Sequence, residues 1–189
     1  ALDEIAPRYA TDGFVRQPEG TGTLNACPHG HFPSGDGKFL AIACTTDKMF
    51  ERLTIAMERK DLLEKFGEQA TRLKNRVEVL AEVEKWTRSF PRETLIDLCN
   101  NNGVPAGSIN SIADIFEDEH FKARETIKHV SVPGVGNVAV PNVFPTLSET
   151  PGTINNLGPG LGDHNEDLYR EELGLSDSEL STLKESGVI

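Results

Sequence analysis

Cys27, His29 and His31 lie close together in the run Cys27-Pro-His-Gly-His31, and thiolate and imidazole groups are the usual ligands of zinc. A tetrahedral structural zinc site needs a fourth ligand, and such ligands usually come from a second close pair. No second pair follows at a recognisable spacing. The sequence therefore predicts no metal site here and indicates a loop that leads into a strand.

A second run with possible chemistry is Gly158-Pro-Gly-Leu-Gly162, which precedes Asp163 and His164 and is similar to an anion-binding loop at a helix start. Pro159 removes one backbone N–H donor, and Asp163 places a negative charge where a phosphate would bind. No strand clearly precedes the glycines. The pattern favours a flexible hinge followed by a capped helix.

Other catalytic signals are missing from the sequence. It contains no recognised nucleophile motif such as Gly-x-Ser-x-Gly. Its carboxylates are abundant, but this is expected of solvated helix faces, as in the run Glu117-Asp-Glu-His120. We therefore predict that no residue of this chain is catalytic.

Composition excludes several classes of function. The chain of 189 residues has 19 basic and 30 acidic residues and a net charge of -11, which disfavours nucleic acid as a partner. No apolar run approaches the roughly 20 residues of a membrane-spanning helix, and we expect no signal peptide. The 3 cysteines lack C-x-x-C spacing, so we predict reduced packing residues in a cytoplasmic protein.

The hydrophobic pattern predicts an α+β fold. The turn Ser34-Gly-Asp-Gly37 joins the apolar run Lys38–Cys44 to the segment around His31 in a β-hairpin. Thr46 and Asp47 cap a helix, and a short helix around Leu62 follows. The longest predicted helix buries a stripe at helical spacing that consists of Leu73, Val77, Leu80 and Val83.

A helix-to-strand junction is predicted near residue 103. The helix before it carries Leu95, Leu98 and Cys99 on one face and ends at Gly103, which can adopt the left-handed backbone conformation. The chain then returns to extended structure through Pro105.

The end of the chain has a different character. A short helix is expected from Ser111 to about Phe121, and a hairpin joins Thr126–Val132 to Asn137–Val140. Residues 141–162 are rich in Gly, Pro and Asn, and so long a loop is expected to lie across another surface. The capping patterns Asp163-x-x-Glu166 and Ser176-x-x-Glu179 predict two final helices.

Several runs resemble, in order, the later half of the class III CoA-transferase family. Phe32-Pro-Ser-Gly-Asp-Gly-Lys-Phe-Leu-Ala-Ile-Ala-Cys44 is similar to the family strand F-P-T-x-D-G-x-x-x-I-A, and Thr71-Arg-Leu-Lys-Asn-Arg76 is similar to its helix entry. The remaining runs are Gly103-Val-Pro-Ala-Gly107 with Asn110, Pro133-Gly-Val-Gly136, Leu161-Gly-Asp-His164 and Gly187-Val-Ile189. Their shared order over nearly the whole chain carries the resemblance.

The resemblance implies a domain organisation. Residues 1–32 would be a linker from an N-terminal large domain that is missing here, and residues 33–124 would be an α+β small domain. Residues 125–189 would be a hairpin, a linker and two short helices that return to complete the Rossmann-like large domain. The family's catalytic aspartate belongs to the N-terminal half, and full-length members form interlocked homodimers.

The resemblance also implies a function. This chain would be the C-terminal portion of an enzyme that transfers coenzyme A between an acyl-CoA and a small carboxylic acid, and it would be inactive alone. The CoA thioester would be a substrate, and no cofactor would be tightly bound. Two alternatives stay open, namely an acyl-CoA racemase of the same superfamily and a non-catalytic assembly or acyl-binding module.

The family's glycine-rich loop covers the active site and by sequence order falls near Leu24–Gly30. This chain has Asn25-Ala-Cys-Pro-His-Gly30 there, without the run of glycines. The resemblance places four residues close to substrate, and a structural linker role for each of them stays equally open. They are Asn25, Cys27, His29 and Gly30.

Overall fold

A computed structural model describes residues 5–18 and 20–189, and the chain divides into two compact units, Ala1–Ser111 and Ile112–Ile189. Both units contain helices and antiparallel strands, which confirms the predicted α+β class. This division falls earlier in the chain than the domain boundary predicted at residue 124. The domain assignment within a longer protein stays a prediction.

A three-stranded antiparallel sheet forms the centre of the first unit, and helices surround it. The strands, in sheet order, are β1 (His29–Pro33), β2 (Phe39–Ala43) and β3 (Ala106–Ile109). The helices are α1 (Ile5–Asp12), α2 (Asp47–Ala56), α3 (Lys60–Phe66), α4 (Gln69–Lys74), α5 (Arg76–Thr87) and α6 (Arg92–Asn101).

The predicted hairpin between β1 and β2 is confirmed, with Phe32 opposite Leu40 and Gly30 opposite Ile42. Because side chains alternate along a strand, Leu40 and Ile42 share one face, and both are fully buried. They contact a core to which α2, α3, α5 and α6 each contribute apolar side chains. At the start of α2, the side chain of Thr46 accepts a hydrogen bond from the Met49 backbone N–H, as predicted.

The helix-to-strand junction is also confirmed. Helix α6 is followed by Gly103 at φ +63°, a conformation that residues with a Cβ rarely adopt. The N–H of Val104 donates to the carbonyl of Cys99 at 2.8 Å, and the N–H of Gly103 donates to that of Asn100 at 3.0 Å. This pair of bonds is the Schellman motif, which satisfies the last carbonyls of the helix and directs the chain into β3.

The predicted stripe of the longest helix is confirmed at Leu73, Leu80 and Val83, which pack in or against the core, and is wrong at Val77. The structure has two helices, because α4 ends at Lys74 and α5 begins at Arg76. Val77, which the prediction buried, is 84% exposed, whereas Val79 and Val83 are buried at 2% and 1%. Val77 lies in the first turn of α5, directly after the interruption at Asn75, and a continuous 3.6-residue period across residues 73–83 could not reveal this break.

The second unit consists of short helices and a separate two-stranded hairpin. Its helices are α7 (Ile112–Glu117), α8 (Glu119–Ala123), a π-helical segment (Glu166–Glu172) and α9 (Asp177–Glu185). The hairpin pairs β4 (Ile127–Val132) with β5 (Gly136–Pro141), as predicted. Residues 142–162 contain no helix or strand, which agrees with the long loop predicted there.

Two predictions for this unit are corrected by capping contacts. The helix expected to run through Phe121 is interrupted at Asp118, whose side chain accepts hydrogen bonds from the N–H groups of His120 and Phe121 and so begins α8. Asp163 does not cap the next helix, since its carboxylate instead accepts from the Gly160 N–H at 2.6 Å. The capping box at Ser176 is present as predicted.

Within the described residues, we find no helix that combines the length and apolar character needed to cross a membrane.

The corrected face of α5 predicts different effects for two matched substitutions. Val83→Ala removes buried methyl groups and is expected to lower the free energy of unfolding by about 1–3 kcal/mol. Val77→Ala changes an exposed position and is expected to stay within about 0.5 kcal/mol of the parent. Urea unfolding followed by the fluorescence of Trp86, the single tryptophan, measures both. Equal losses would contradict the observed face.

Candidate functional site

A cavity of about 400 Å³ lies beside β1, an edge strand of the sheet, and is bordered on its other side by α5. Arg76, Leu80 and Glu84 face it from α5, where their spacing of four residues places them on one side of the helix. The rest of the lining comes from the strand and the segment before it, namely Thr21, Gly22, His29, Gly30, His31 and Phe32. The cavity thus combines imidazole, guanidinium and hydroxyl groups.

The wall of the cavity that Thr21, Gly22 and β1 form is closely packed. The hydroxyl oxygen of Thr21 accepts a hydrogen bond from the backbone N–H of His31 at 3.0 Å. A Cβ at Gly30 would lie 3.2 Å from that hydroxyl oxygen, and the φ of Gly30 is +155°. Both the contact and the backbone conformation therefore favour glycine at this position.

His29 contains an unsatisfied polar atom. Its Nδ1 is buried and has no hydrogen-bond partner, and no other buried side-chain nitrogen or oxygen in the described part of the chain lacks one. A buried polar atom without a partner costs about 1–3 kcal/mol. Such an atom in the wall of a cavity is a candidate for a hydrogen bond to bound water or ligand.

The segment that precedes β1 is held by side chains from α4 and α5. Gln69 Nε2 donates to the carbonyl of Asn25 at 2.5 Å, and Arg72 Nε donates to that of Cys27 at 2.7 Å. Arg76 Nη2 donates to the carbonyls of Thr23 and Ala26. All of these acceptors are main-chain oxygens. They belong to residues 23–27, a segment that we call the clamped loop.

Arg72 is the most buried of the three donors, with 0% of its surface exposed. Besides Cys27, its guanidinium donates to the carbonyls of Phe66 and Gly67 and forms an ion pair of 2.7 Å with Asp47. It also lies 4.6 Å from the centroid of the Phe50 ring, a cation–π distance. This full set of partners compensates the large cost of burying a charge.

The charges around the cavity are of both signs. Glu84 is the one carboxylate among the lining residues, and Arg88 binds its Oε1 through Nε at 2.8 Å and Nη2 at 2.6 Å. Arg88 therefore offsets the negative charge of Glu84. Arg76 contributes a positive charge to the same wall, so an anionic group would meet favourable electrostatics there.

The structure brings together two of the four predicted site residues. His29 and Gly30 line the cavity, whereas Asn25 and Cys27 do not. Asn25 is exposed and joins the clamped loop through its carbonyl. Cys27 is buried, and its desolvation raises the pKa of the thiol, although Arg76 and Arg72 act in the opposite direction. Their roles toward a substrate stay predictions.

No group of three or more metal-ligating side chains comes together among the residues that the structure describes. Cys27, Cys44 and Cys99 are all buried and unpaired with one another. Burial raises the pKa of Cys44 to about 12 and that of Cys99 to about 11.

Sequence reasoning did not assign Thr21, Arg76 or Glu84 to the site. Arg76 belongs to the run Thr71–Arg76 that carried part of the family resemblance, and this run contains Arg72 as well. The two arginines in this run were the signal that could have pointed to the site, because a guanidinium that is wholly or partly buried needs several hydrogen-bond acceptors. Thr21 gave no comparable signal.

Comparison with known proteins identifies the family. The profile of CoA-transferase family III matches residues 2–165. The chain is 49% identical to the alpha subunit of a succinyl-CoA–L-malate CoA-transferase from Chloroflexus aurantiacus, a match that covers 100% of this chain and 44% of that protein. It is 40% identical to the beta subunit of such an enzyme, covering 99% of this chain and 47% of the relative.

A solved structure of a CaiB/BaiF family protein from Brucella suis is similar, with a TM-score of 0.74 and 28% identity over 91% of this chain and 44% of that one. The chain therefore belongs to CoA-transferase family III, as its sequence motifs predicted. It spans less than half the length of these relatives.

Arg72 is expected to be essential for stability. Arg72→Met keeps much of the side-chain volume but leaves the carbonyls of Cys27, Phe66 and Gly67 without this donor, so we expect a loss of about 3 kcal/mol or more. Arg88 has a side chain that is 59% exposed and forms an ion pair with the exposed carboxylate of Glu84, so Arg88→Met serves as the matched control with a loss of about 1 kcal/mol or less. Chemical unfolding measures both, and similar losses would contradict a central role for Arg72.

The raised pKa of each cysteine predicts slow alkylation. At pH 8 burial lowers the thiolate fraction of each folded cysteine relative to an exposed one, because it raises the pKa, and only thiolate reacts. We expect iodoacetamide to label Cys44 and Cys99 about a hundredfold more slowly in the folded chain than in urea, with Cys27 also slowed. Peptide mass spectrometry resolves the three sites. Rapid labelling of folded Cys44 would be the contrary result.

Proposed function

We propose that this chain is the C-terminal portion of an enzyme that transfers coenzyme A from an acyl-CoA to a carboxylic acid. The observation that carries the proposal is the 49% identity, along the whole chain, with the alpha subunit of a succinyl-CoA–L-malate CoA-transferase. On this basis succinyl-CoA is the donor and L-malate, or an acid of similar size, is the acceptor.

The cavity beside β1 supplies part of the acid-binding site in this proposal. His29 and Gly30 form its wall, and Arg76 provides a positive charge that suits a carboxylate. Asn25 and Cys27 contribute through the backbone of the clamped loop. The chain's role is to bind and orient the acid, which lowers the barrier by fixing the reacting groups in position.

The nucleophile belongs to another part of the protein. Glu84, the one carboxylate among the lining residues, is held in an ion pair by Arg88 and is given no nucleophilic role in this proposal. We assign the reactive aspartate to an N-terminal large domain. The π-helical segment and α9 are proposed to pack against that domain and complete its fold.

The same proposal covers partners and location. The CoA thioester is a substrate, and no cofactor is permanently bound. The enzyme acts as an interlocked homodimer in the cytoplasm. Light scattering of the native protein tests the dimer, because a monomer or a complex with a second, different chain would contradict it.

The activity has a direct test. The native protein that contains these residues is incubated with succinyl-CoA and L-malate, and malyl-CoA is measured by mass spectrometry against a control without acid. We expect malyl-CoA and free succinate to form in equal amounts, since the CoA moiety leaves one acyl group for the other.

The same assay in deuterium oxide separates the alternatives. Incorporation of deuterium at the acyl α-carbon without exchange of CoA would indicate the racemase of the superfamily. Binding of the thioester with neither reaction would indicate the non-catalytic module. Either result would contradict the proposed transfer.

A further inference from the structure

The clamped loop has little regular structure of its own. Among the described residues its internal backbone pairing is the isolated bridge between Thr23 and Ala26. Four of its carbonyls are instead bonded to side chains of Gln69, Arg72 and Arg76. A loop with few internal hydrogen bonds takes its conformation from whatever holds it, so α4 and α5 determine the shape of this one.

The three residues whose side chains donate to the clamped loop lie close together in the sequence. Gln69 and Arg72 lie on α4, and Arg76 is the first residue of α5. The interruption at Asn75 separates α4 from α5 and so divides the donors between two helices, which contact the loop at several points. A segment that is hydrogen-bonded to two helices at several points has much less conformational freedom than a loop that is held only at its two ends.

Arg76 connects the clamped loop with the cavity. Its guanidinium donates to the carbonyls of Thr23 and Ala26, and the same side chain lines the cavity with His29 and Gly30. Thr21, just before the loop, is bonded to the strand at His31 and lines the cavity as well. A shift of the loop would therefore change the cavity wall at both Thr21 and Arg76.

We infer that Gln69 and Arg76 are positioning residues that hold the clamped loop rigid and so fix the two parts of the acid-binding cavity wall that it connects, Thr21–Gly22 and His29–Phe32. The loop therefore does not open and close as a lid. The inference rests on the proposed function for the identity of the ligand. The rigidity of the loop does not depend on the proposed function.

Hydrogen exchange of the native protein, measured by mass spectrometry, tests the rigidity. We expect peptides covering residues 20–30 to exchange slowly in the parent, with or without succinyl-CoA and L-malate. Arg76→Gln and Gln69→Ala are each expected to speed that exchange about tenfold or more, because each removes a hydrogen bond to the loop. Peptides from β2 and α6 should not change.

Steady-state kinetics test the positioning role. We expect both variants to raise the KM for L-malate, by about tenfold for Arg76→Gln, with a smaller change in kcat and in the KM for succinyl-CoA. Gln69 does not line the cavity, so an effect of Gln69→Ala on this KM must act through the loop. Arg76→Lys keeps the charge but loses the planar guanidinium and should recover only part of the affinity.

Arg59→Gln is the matched control. Arg59 forms ion pairs of 2.7 Å with Asp61 and Glu82 in the same unit, and it neither contacts the loop nor lines the cavity. The Arg59→Gln variant should leave both the hydrogen exchange at residues 20–30 and the KM for L-malate unchanged.

Two results would overturn the inference. One is unaltered exchange at residues 20–30 in the Arg76 and Gln69 variants, and the other is faster exchange there with an unaltered KM for L-malate. If the parent transfers no CoA while the exchange results hold, the proposed function fails and the rigid loop stands.

Discussion

The burial of one guanidinium, that of Arg72, is the constraint on which the first unit depends. A charge removed from water must be given partners in every direction in which it can donate, and here they come from three separate stretches of chain. The start of α2, the end of α3 and the approach to β1 are therefore brought to one point on α4, the helix that carries Arg72. Hydrophobic burial alone would not specify that arrangement, since it has no preferred direction.

Local patterns were sufficient to predict most of the fold. The hairpin, the cap at Thr46 and the junction at Gly103 each depend on a few neighbouring residues whose backbone preferences agree with the final structure. The prediction was wrong where a different local conformation replaces the expected one. The break at Asn75 precedes the exposed Val77, and the carboxylate of Asp163 bonds to Gly160, three residues earlier, instead of capping the next helix.

The candidate site was harder to predict because it depends on contacts between residues that lie far apart in the chain. The order of motifs led to His29 and Gly30, because they lie within the segment that resembles the family's active-site loop. It could not show that Arg76, more than 40 residues later, lines the same cavity, since that depends on how α5 crosses β1. Cys27 was a candidate because of its residue type, yet burial raises the pKa of its thiol. The group of Cys27 that is bonded to Arg72 is its carbonyl and not its sulfur.

The clamp acts only on main-chain oxygens, and every amino acid supplies the same one. The clamp therefore places no demand on side-chain identity between residues 23 and 27, although packing constrains the buried Ala26 and Cys27. An enzyme built in this way separates its scaffold from its selectivity. Side chains that line the cavity on either side of the loop, such as those of Thr21 and His29, can change while the loop keeps its position, which makes this wall a favourable place for specificity to evolve.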